Sequence, residues 1–120
     1  MNFYFVDDDK NVRNILKILV TDRQLGKCCG SSGNGYDALE DVEALHPDII
    51  LVDLLMPDMD GISFVEKVRD ISPDSVCIMI SQVASKDLIA KAYEAGVEFF
   101  IQKPINAIED EAVIRNVIKS

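Results

Sequence analysis

Four short apolar segments, each followed by a polar residue of a different kind, limit the possible folds of this chain more than any other feature. The segments are residues 3–6, 49–52, 76–80 and 99–102, and they are followed by Asp7, Asp53, Ser81 and Lys103. If the segments are neighbouring parallel strands, their carboxyl ends meet at one edge of the sheet. Ligands of open α/β sheets bind outside that edge, where the strand order reverses. We therefore expect a site there that combines carboxylates, a hydroxyl and an ammonium.

Strand-like and helix-like periodicities alternate along the chain and predict five βα units. Residues 49–52 are apolar on both faces, as in a central strand that helices cover on both sides. Residues 25–32 form a weaker strand, because Gly26 and Gly30 interrupt it. Apolar residues at helical spacing predict helices after the acidic residues 7–9, after the turn at 33–35, from 62, after a cap at Ser85, and over 107–118. This alternation predicts an α/β fold with a parallel sheet and right-handed crossovers.

Length and charge restrict the class of protein. A chain of 120 residues suits one domain. The formal charge of −9 would repel phosphate, so we expect no binding of nucleic acid or of an anionic membrane by this domain itself. No apolar stretch approaches the ~20 residues that cross a bilayer, and no secretory signal is visible.

The cysteines favour a reduced, cytoplasmic setting. There are three of them, an odd number, and Cys28 and Cys29 are adjacent, which is unlike a disulfide framework. One histidine and no C-x-x-C motif make a zinc site improbable.

The carboxylates predicted at the strand ends favour a magnesium site. Asp7, Asp8 and Asp53 would repel one another at close range, and a hard divalent cation with oxygen ligands removes that repulsion. The alternative is that residues 7–9 only cap the first helix, whose N-terminal end favours acids. We prefer capping for Asp9, and the metal cluster for Asp7 and Asp8.

The remaining strand-end residues suggest phosphoryl chemistry. Asp53 could be a buried, hydrogen-bonded carboxylate, or a nucleophile that forms an aspartyl phosphate. Lys103 and Ser81 could each bind a phosphoryl oxygen. Taken singly, Ser81 is more often a structural hydroxyl and Lys103 a solvated charge.

Together these residues resemble the receiver domains of two-component response regulators. The matching motifs are VDDD at 6–9, DLLMPDMDG at 53–61, Ser81, AG at 95–96 and KP at 103–104, in family order and spanning nearly the whole chain. The resemblance implies a flavodoxin-like (βα)5 fold, a doubly wound five-stranded parallel sheet with strand order 2-1-3-4-5. We expect residues 1–120 to form one receiver domain. Whether it stands alone or is cut from a longer regulator with a C-terminal output domain stays open.

The same resemblance implies a role for each site residue. Asp53 would be the phosphoacceptor, with Lys103 and Ser81 as its catalytic partners and a histidine kinase as phosphodonor. Asp8 would ligate Mg²⁺ directly and Asp7 largely through water, and Asp53 and the Leu55 carbonyl would complete the ligands. Ser81 and Phe100 would form the switch, although Phe100 could equally be an ordinary core aromatic.

By resemblance, the chain is a regulatory domain whose only catalysis is its own phosphotransfer and slow autodephosphorylation. Residues 99–106 look like those of bacterial transcriptional regulators. The output surface would be the fourth helix, fifth strand and fifth helix, and its mixed charges could pair two copies or simply be solvated. These charges include Lys86, Lys91, Glu94, Glu98 and Arg115. Leu55 and Val83 are apolar where other sites are more polar, which we expect to slow dephosphorylation.

Three other functions share parts of this sequence pattern. A haloacid-dehalogenase-like phosphatase also uses a strand-end Asp and a distant lysine, but it typically carries a second Asp two residues on, where this chain has Leu55. A flavodoxin-like flavin binder needs a Ser/Thr/Gly-rich first loop, and the acids at 7–9 would repel its phosphate. A degenerate receiver that only docks is disfavoured by the complete set of acids, hydroxyl and lysine.

Overall fold

The computed structural model describes residues 1–119, which alternate strictly between strand and helix. The elements in chain order are β1 Asn2–Val6, α1 Lys10–Asp22, β2 Lys27–Ser32, α2 Gly35–Leu45, β3 Ile49–Asp53, α3 Gly61–Ile71, β4 Val76–Ser81, α4 Lys86–Ala95, β5 Phe99–Gln102 and α5 Ala107–Lys119. The weak second strand predicted over 25–32 is confirmed from Lys27 onward. Asp53 and Ser81 are the last residues of their strands rather than the first residues beyond them.

All four strand pairs are parallel, and the sheet order is β2-β1-β3-β4-β5. The predicted α/β class and the 2-1-3-4-5 order are therefore confirmed. The order reverses between β1 and β3, so the ends of these two strands lie side by side at the switch point. Asp7 follows one of them and Asp53 ends the other.

Side chains of each strand alternate between two separate cores, one on each face of the sheet. Tyr4 and Val6 face the core that α2, α3 and α4 cover. Phe3 and Phe5 face the core under α1 and α5. The central strand β3 is buried at all five positions, as its unbroken apolar sequence predicts. Because both faces are packed, the sheet edge at the strand ends is where polar groups of these strands reach solvent.

Helix starts are fixed by side-chain caps. Asp9, Asn34, Asp60 and Ser85 are the N-caps of α1 to α4, and each side chain accepts a hydrogen bond from a backbone N–H in the first turn. The predicted capping roles of Asp9 and Ser85 are confirmed. Gly61 begins α3 directly against β3, where a Cβ would lie 2.9 Å from the Leu54 Cα. A side chain there would push the helix away from the strand end.

Tyr4 carries a polar group into the interior. Its side chain is fully buried, and its hydroxyl donates a 2.5 Å hydrogen bond to Asp41 Oδ2 on α2. Burial raises the pKa of the tyrosine above its ordinary value, and the hydrogen bond to the Asp41 carboxylate raises it further. The bond therefore ties the first strand to α2 through a neutral hydroxyl.

We expect Tyr4→Phe to lower the free energy of unfolding by about 1 kcal/mol, because it removes this bond and leaves the packing of the ring unchanged. Urea unfolding followed by circular dichroism measures the change. Tyr93→Phe is the matched control, since Tyr93 is 44% exposed and its substitution should change stability little. An equal effect of both substitutions would contradict the role of the Tyr4 hydroxyl.

Candidate functional site

The carboxyl ends of the strands bring most of the predicted site residues together around one open cavity of about 290 Å³. It is lined by Asp8, Asp9, Asp53, Leu55, Ser81, Gln82 and Lys103. Backbone hydrogen bonds hold the segments that form it. The Leu54 N–H donates to the Ile80 carbonyl at 3.1 Å, and the Lys103 N–H donates to the Ser81 carbonyl at 2.7 Å. The ends of β3, β4 and β5 are thereby fixed relative to one another.

Lys103 forms the central ionic contacts of this cavity. Its Nζ lies 2.8 Å from Asp7 Oδ2 and 3.5 Å from Asp53 Oδ2. Asp7 is fully buried and Asp53 is only 6% exposed. One ammonium thus lies against two buried carboxylates, which leaves an excess of negative charge.

Asp7 is held from several sides. Its Oδ1 accepts a hydrogen bond from the Asp9 N–H at 2.9 Å, and its backbone carbonyl accepts one from Arg13 of α1 at 2.5 Å. Over residues 1–119, its Oδ2 is the buried side-chain oxygen that lacks a hydrogen bond of acceptable geometry. The Lys103 ammonium is within distance of this oxygen, but the angle is unfavourable. Asp7 Oδ2 therefore retains coordinating capacity.

Asp7, Asp8 and Asp53 fit the requirements of a hard divalent cation. They offer carboxylate oxygens that all lie within 4.8 Å of one another. Asp7 and Asp53 are buried whereas Asp8 is exposed, so a cation could remain partly hydrated. The oxygen-only donor set and the unsatisfied Asp7 Oδ2 both suit Mg²⁺.

Ser81 lies at the end of β4 and is 1% exposed. Its Oγ accepts a hydrogen bond from the Val83 N–H at 3.0 Å. Its hydroxyl and the Asp53 carboxylate line the same cavity. The Ser81 side chain therefore lies in the same cavity as Asp53, while its oxygen is hydrogen-bonded within its own loop.

Leu55 lines both the acidic cavity and a second, more apolar one. Its side chain is 61% exposed, and its N–H lies 3.5 Å from Asp53 Oδ1 as a long hydrogen bond. The second cavity, of about 490 Å³, is lined by Leu54, Leu55, Asp60, Ile62, Ser63, Val83, Leu88 and Lys91. Val83 is 41% exposed and lies on this apolar side.

Comparison with known proteins agrees with this geometry. The sequence model of the response regulator receiver domain matches residues 3–117. The chain belongs to this family. The receiver is 38% identical to the transcriptional regulatory protein GlnL of Bacillus subtilis over 118 residues, which are 98% of this chain and 37% of GlnL.

This chain covers most of the length of two further relatives. The chemotaxis protein CheY of Thermotoga maritima is 33% identical over 99 residues, or 82% of each chain. The solution structure of the beryllofluoride-activated NtrC4 receiver domain dimer superposes with a TM-score of 0.89 at 26% identity, covering 98% of this receiver and 96% of that chain. The receiver thus matches whole domains but only part of longer regulators such as GlnL.

Burial and charge shift the pKa values of the receiver's central pair. Burial, together with the neighbouring Asp7 carboxylate, raises the pKa of Asp53 to about 6, although Lys103 opposes the shift. Burial alone would lower the pKa of the Lys103 ammonium, but its close contacts with the Asp7 and Asp53 carboxylates raise it overall. Lys103 therefore stays protonated at neutral pH, whereas Asp53 ionises at a higher pH than an ordinary aspartate.

Phe100 and the predicted output surface lie apart from the cavity. Phe100 is half-buried on β5 and packs against the core under α4. Lys86, Lys91, Glu94 and Glu98 are exposed, as predicted. Arg115 on α5 is exposed too, and it donates to Glu111 at 2.8 Å and to the Arg23 carbonyl at 2.9 Å, so its side chain is directed toward the end of α1. No helix within residues 1–119 has the length and apolar character of a membrane span.

Three residues of the site region were missed in the sequence. Gln82 lines the cavity, Arg13 supports the Asp7 backbone, and Asp58 accepts hydrogen bonds from the start of α2. Gln82 could have been found from its position beside Ser81. The other two lack a local signal, because each acts on backbone atoms of another element.

We expect Asp53→Asn to stabilise the metal-free receiver at neutral pH. Because the folded-state pKa of Asp53 is raised from 3.8 to about 6, the wild type loses stability as the pH rises between these values. The variant should exceed the wild type by about 2 kcal/mol above pH 7, after partial screening by solvent, and by much less near pH 4. Urea unfolding with EDTA at a series of pH values measures the difference. Asp70→Asn, an exposed position on α3, is the control, and a pH-independent difference would contradict the prediction.

Proposed function

We propose that this receiver takes a phosphoryl group from the phosphohistidine of a histidine kinase onto Asp53. The observation that carries the proposal is the Lys103 ammonium, which lies 3.5 Å from the Asp53 carboxylate in a cavity open to solvent. A nucleophilic carboxylate beside a fixed cation suits phosphoryl transfer, in which catalysis is mostly positioning and electrostatics.

In the proposed reaction, an Asp53 oxygen attacks phosphorus and the phosphorus–nitrogen bond of the donor histidine breaks. The imidazole leaves with the electron pair of that bond. Lys103 offsets negative charge on the transferring oxygens. Bound Mg²⁺, held by Asp7, Asp8, Asp53 and the Leu55 carbonyl, would supply further charge neutralisation. Lys103 already lies beside Asp53, so its side chain needs to move little to neutralise this charge.

Ser81 and Phe100 are proposed to form the switch. A phosphoryl oxygen on Asp53 could accept a hydrogen bond from the Ser81 hydroxyl, whose oxygen already accepts one from the Val83 N–H. This bond would draw the Ser81 loop inward and leave room for Phe100, now half-buried, to turn in behind it. Such a switch is a population shift, since phosphorylation must favour one of two existing arrangements.

The output of the switch is proposed to be transcriptional. GlnL is a transcriptional regulatory protein, and this receiver spans 37% of its length, so an output domain would be a separate segment.

The α4–β5–α5 face, with its exposed mixed charges, is the proposed homodimer surface, and the NtrC4 receiver relative is a dimer. The receiver itself is not proposed to bind DNA, because its charge is −9.

We expect incubation with acetyl phosphate and Mg²⁺ to add one phosphoryl group, and Asp53→Ala to abolish the gain. Intact-mass spectrometry measures it. Omission of Mg²⁺ should reduce the gain, and Asp70→Ala, exposed on α3, should leave it unchanged. A folded wild-type chain that gains no phosphoryl group would contradict the proposed function.

The lifetime of the phosphorylated receiver should depend on Leu55 and Val83. Both are apolar and exposed beside the site, so neither orients an attacking water. We expect Leu55→Asn with Val83→Glu to shorten the lifetime several-fold, as followed by intact mass after removal of the phosphodonor. Lys91→Asn, on the same apolar cavity, is the control. An unchanged lifetime in the double variant would refute the idea.

A further inference from the structure

The loop that follows Asp53 is fastened to a helix from a different part of the chain. Asp58 Oδ1 accepts a 2.8 Å hydrogen bond from the Gly35 N–H, and Oδ2 accepts a 2.8 Å bond from the Tyr36 N–H. These amides are the first two of α2, and helix N-terminal amides lack partners within their own helix. The α2 N-cap, Asn34, bonds the Asp37 N–H instead. Asp58 therefore supplies acceptors that α2 itself does not.

Packing reinforces this contact, which we term the Asp58 clamp: Asp58 with the Gly35 and Tyr36 amides. The neighbouring Met59 side chain lies so close to Gly35 that a Cβ there would be 2.5 Å from the Met59 Cγ. Position 35 therefore requires a glycine for this approach. The slight desolvation of the exposed Asp58 carboxyl alone would raise its pKa, but the hydrogen bonds from the two amides lower it overall. The carboxylate is thus held in its charged form by the helix start.

The other end of the same loop carries Leu55, beside Asp53. The loop is closed by a bridge between Leu55 and Asp60 and by a 2.7 Å hydrogen bond from the Gly61 N–H to the Leu54 carbonyl. Its two ends are therefore fixed at β3 and α3, whereas Pro57 and Asp58 at its tip are exposed. The clamp fixes the tip. A loop held at both ends and at its tip has few ways to rotate its peptide planes.

We propose that Asp58 is a positioning residue that holds the 54–60 loop against α2 and so keeps the Leu55 carbonyl oriented for a cation in the acidic cluster. The inference rests on the proposed function, because it concerns the magnesium site of the same phosphoacceptor. Asp58 itself does not touch the cation: its two oxygens are occupied by the α2 amides. Groups that orient ligands typically change metal affinity 10- to 100-fold when they are removed.

A simple loss of negative charge could also weaken cation binding, so the control must remove a charge without opening the clamp. Asp37 provides it. It lies in the first turn of the same helix, and its carboxylate accepts a hydrogen bond from the Asn34 side chain; within residues 1–119 it makes no hydrogen bond to the 54–60 loop. Asp37→Ala and Asp58→Ala thus remove equal charge at the same helix start, and only the second frees the loop.

The test measures Mg²⁺ affinity by isothermal titration and amide hydrogen exchange by NMR, on the whole chain with circular dichroism as a check of folding. In Asp58→Ala we expect faster exchange at the Gly35 and Tyr36 amides and Mg²⁺ binding weaker by about tenfold. Asp58→Asn, which keeps one acceptor oxygen, should fall between this variant and the wild type. Asp37→Ala should stay within about twofold of the wild type.

Several outcomes would contradict the proposed role of Asp58. One is faster exchange in Asp58→Ala with unchanged Mg²⁺ affinity, and another is unchanged exchange, which would mean that the bonds are not made in solution. Equal weakening by Asp37→Ala would assign the effect to charge alone. A wild type that binds Mg²⁺ but gains no phosphoryl group contradicts the proposed function, and the affinity comparison still decides the clamp.

Discussion

The organisation of this receiver depends on one ammonium that lies against two buried carboxylates. Lys103 Nζ contacts Asp7 at 2.8 Å and Asp53 at 3.5 Å, and neither acid has appreciable exposure to water. Burying charges in this way is costly unless each is compensated, and here the compensation is incomplete. The excess charge is consistent with the raised pKa of Asp53 and with the unsatisfied oxygen of Asp7. The same imbalance that lowers stability favours a cation in the cavity.

The parallel sheet is what allows such an arrangement to persist. Two packed cores fix the strands on both faces, and backbone bonds between neighbouring strand ends leave the charged groups little freedom to move apart. Loops that leave this edge are held in turn by helix caps such as Asp9 and Asp60, and by the contact of Asp58 with α2. Binding energy is therefore not needed to assemble most of the site, because folding has already ordered it.

Much of the fold and of the site was predictable because their signals are local. Each apolar segment identifies a strand, and the polar residue after it marks the edge where Asp53 and Ser81 lie. Even the irregular second strand was recovered, although its start was placed two residues early. The contact of Arg115 with the end of α1 was not predicted, because helical periodicity says which residues are exposed but not which neighbouring element a long side chain reaches. Arg13 and Asp58 were missed for a related reason: their partners are backbone atoms, which have no residue-specific pattern.

The sequence by itself determined the alternation of strands and helices, the two-faced burial of the sheet and the identity of the charged groups at its edge. These follow from periodicity and from the family motifs, which are properties of short segments. Only the tertiary structure decided that Lys103 pairs most closely with Asp7 rather than with Asp53, that Ser81 is held by Val83, and that Asp58 caps a distant helix. Such choices depend on distances of a few tenths of an ångström between elements. They are set by how the packed layers fit together, which no single segment specifies.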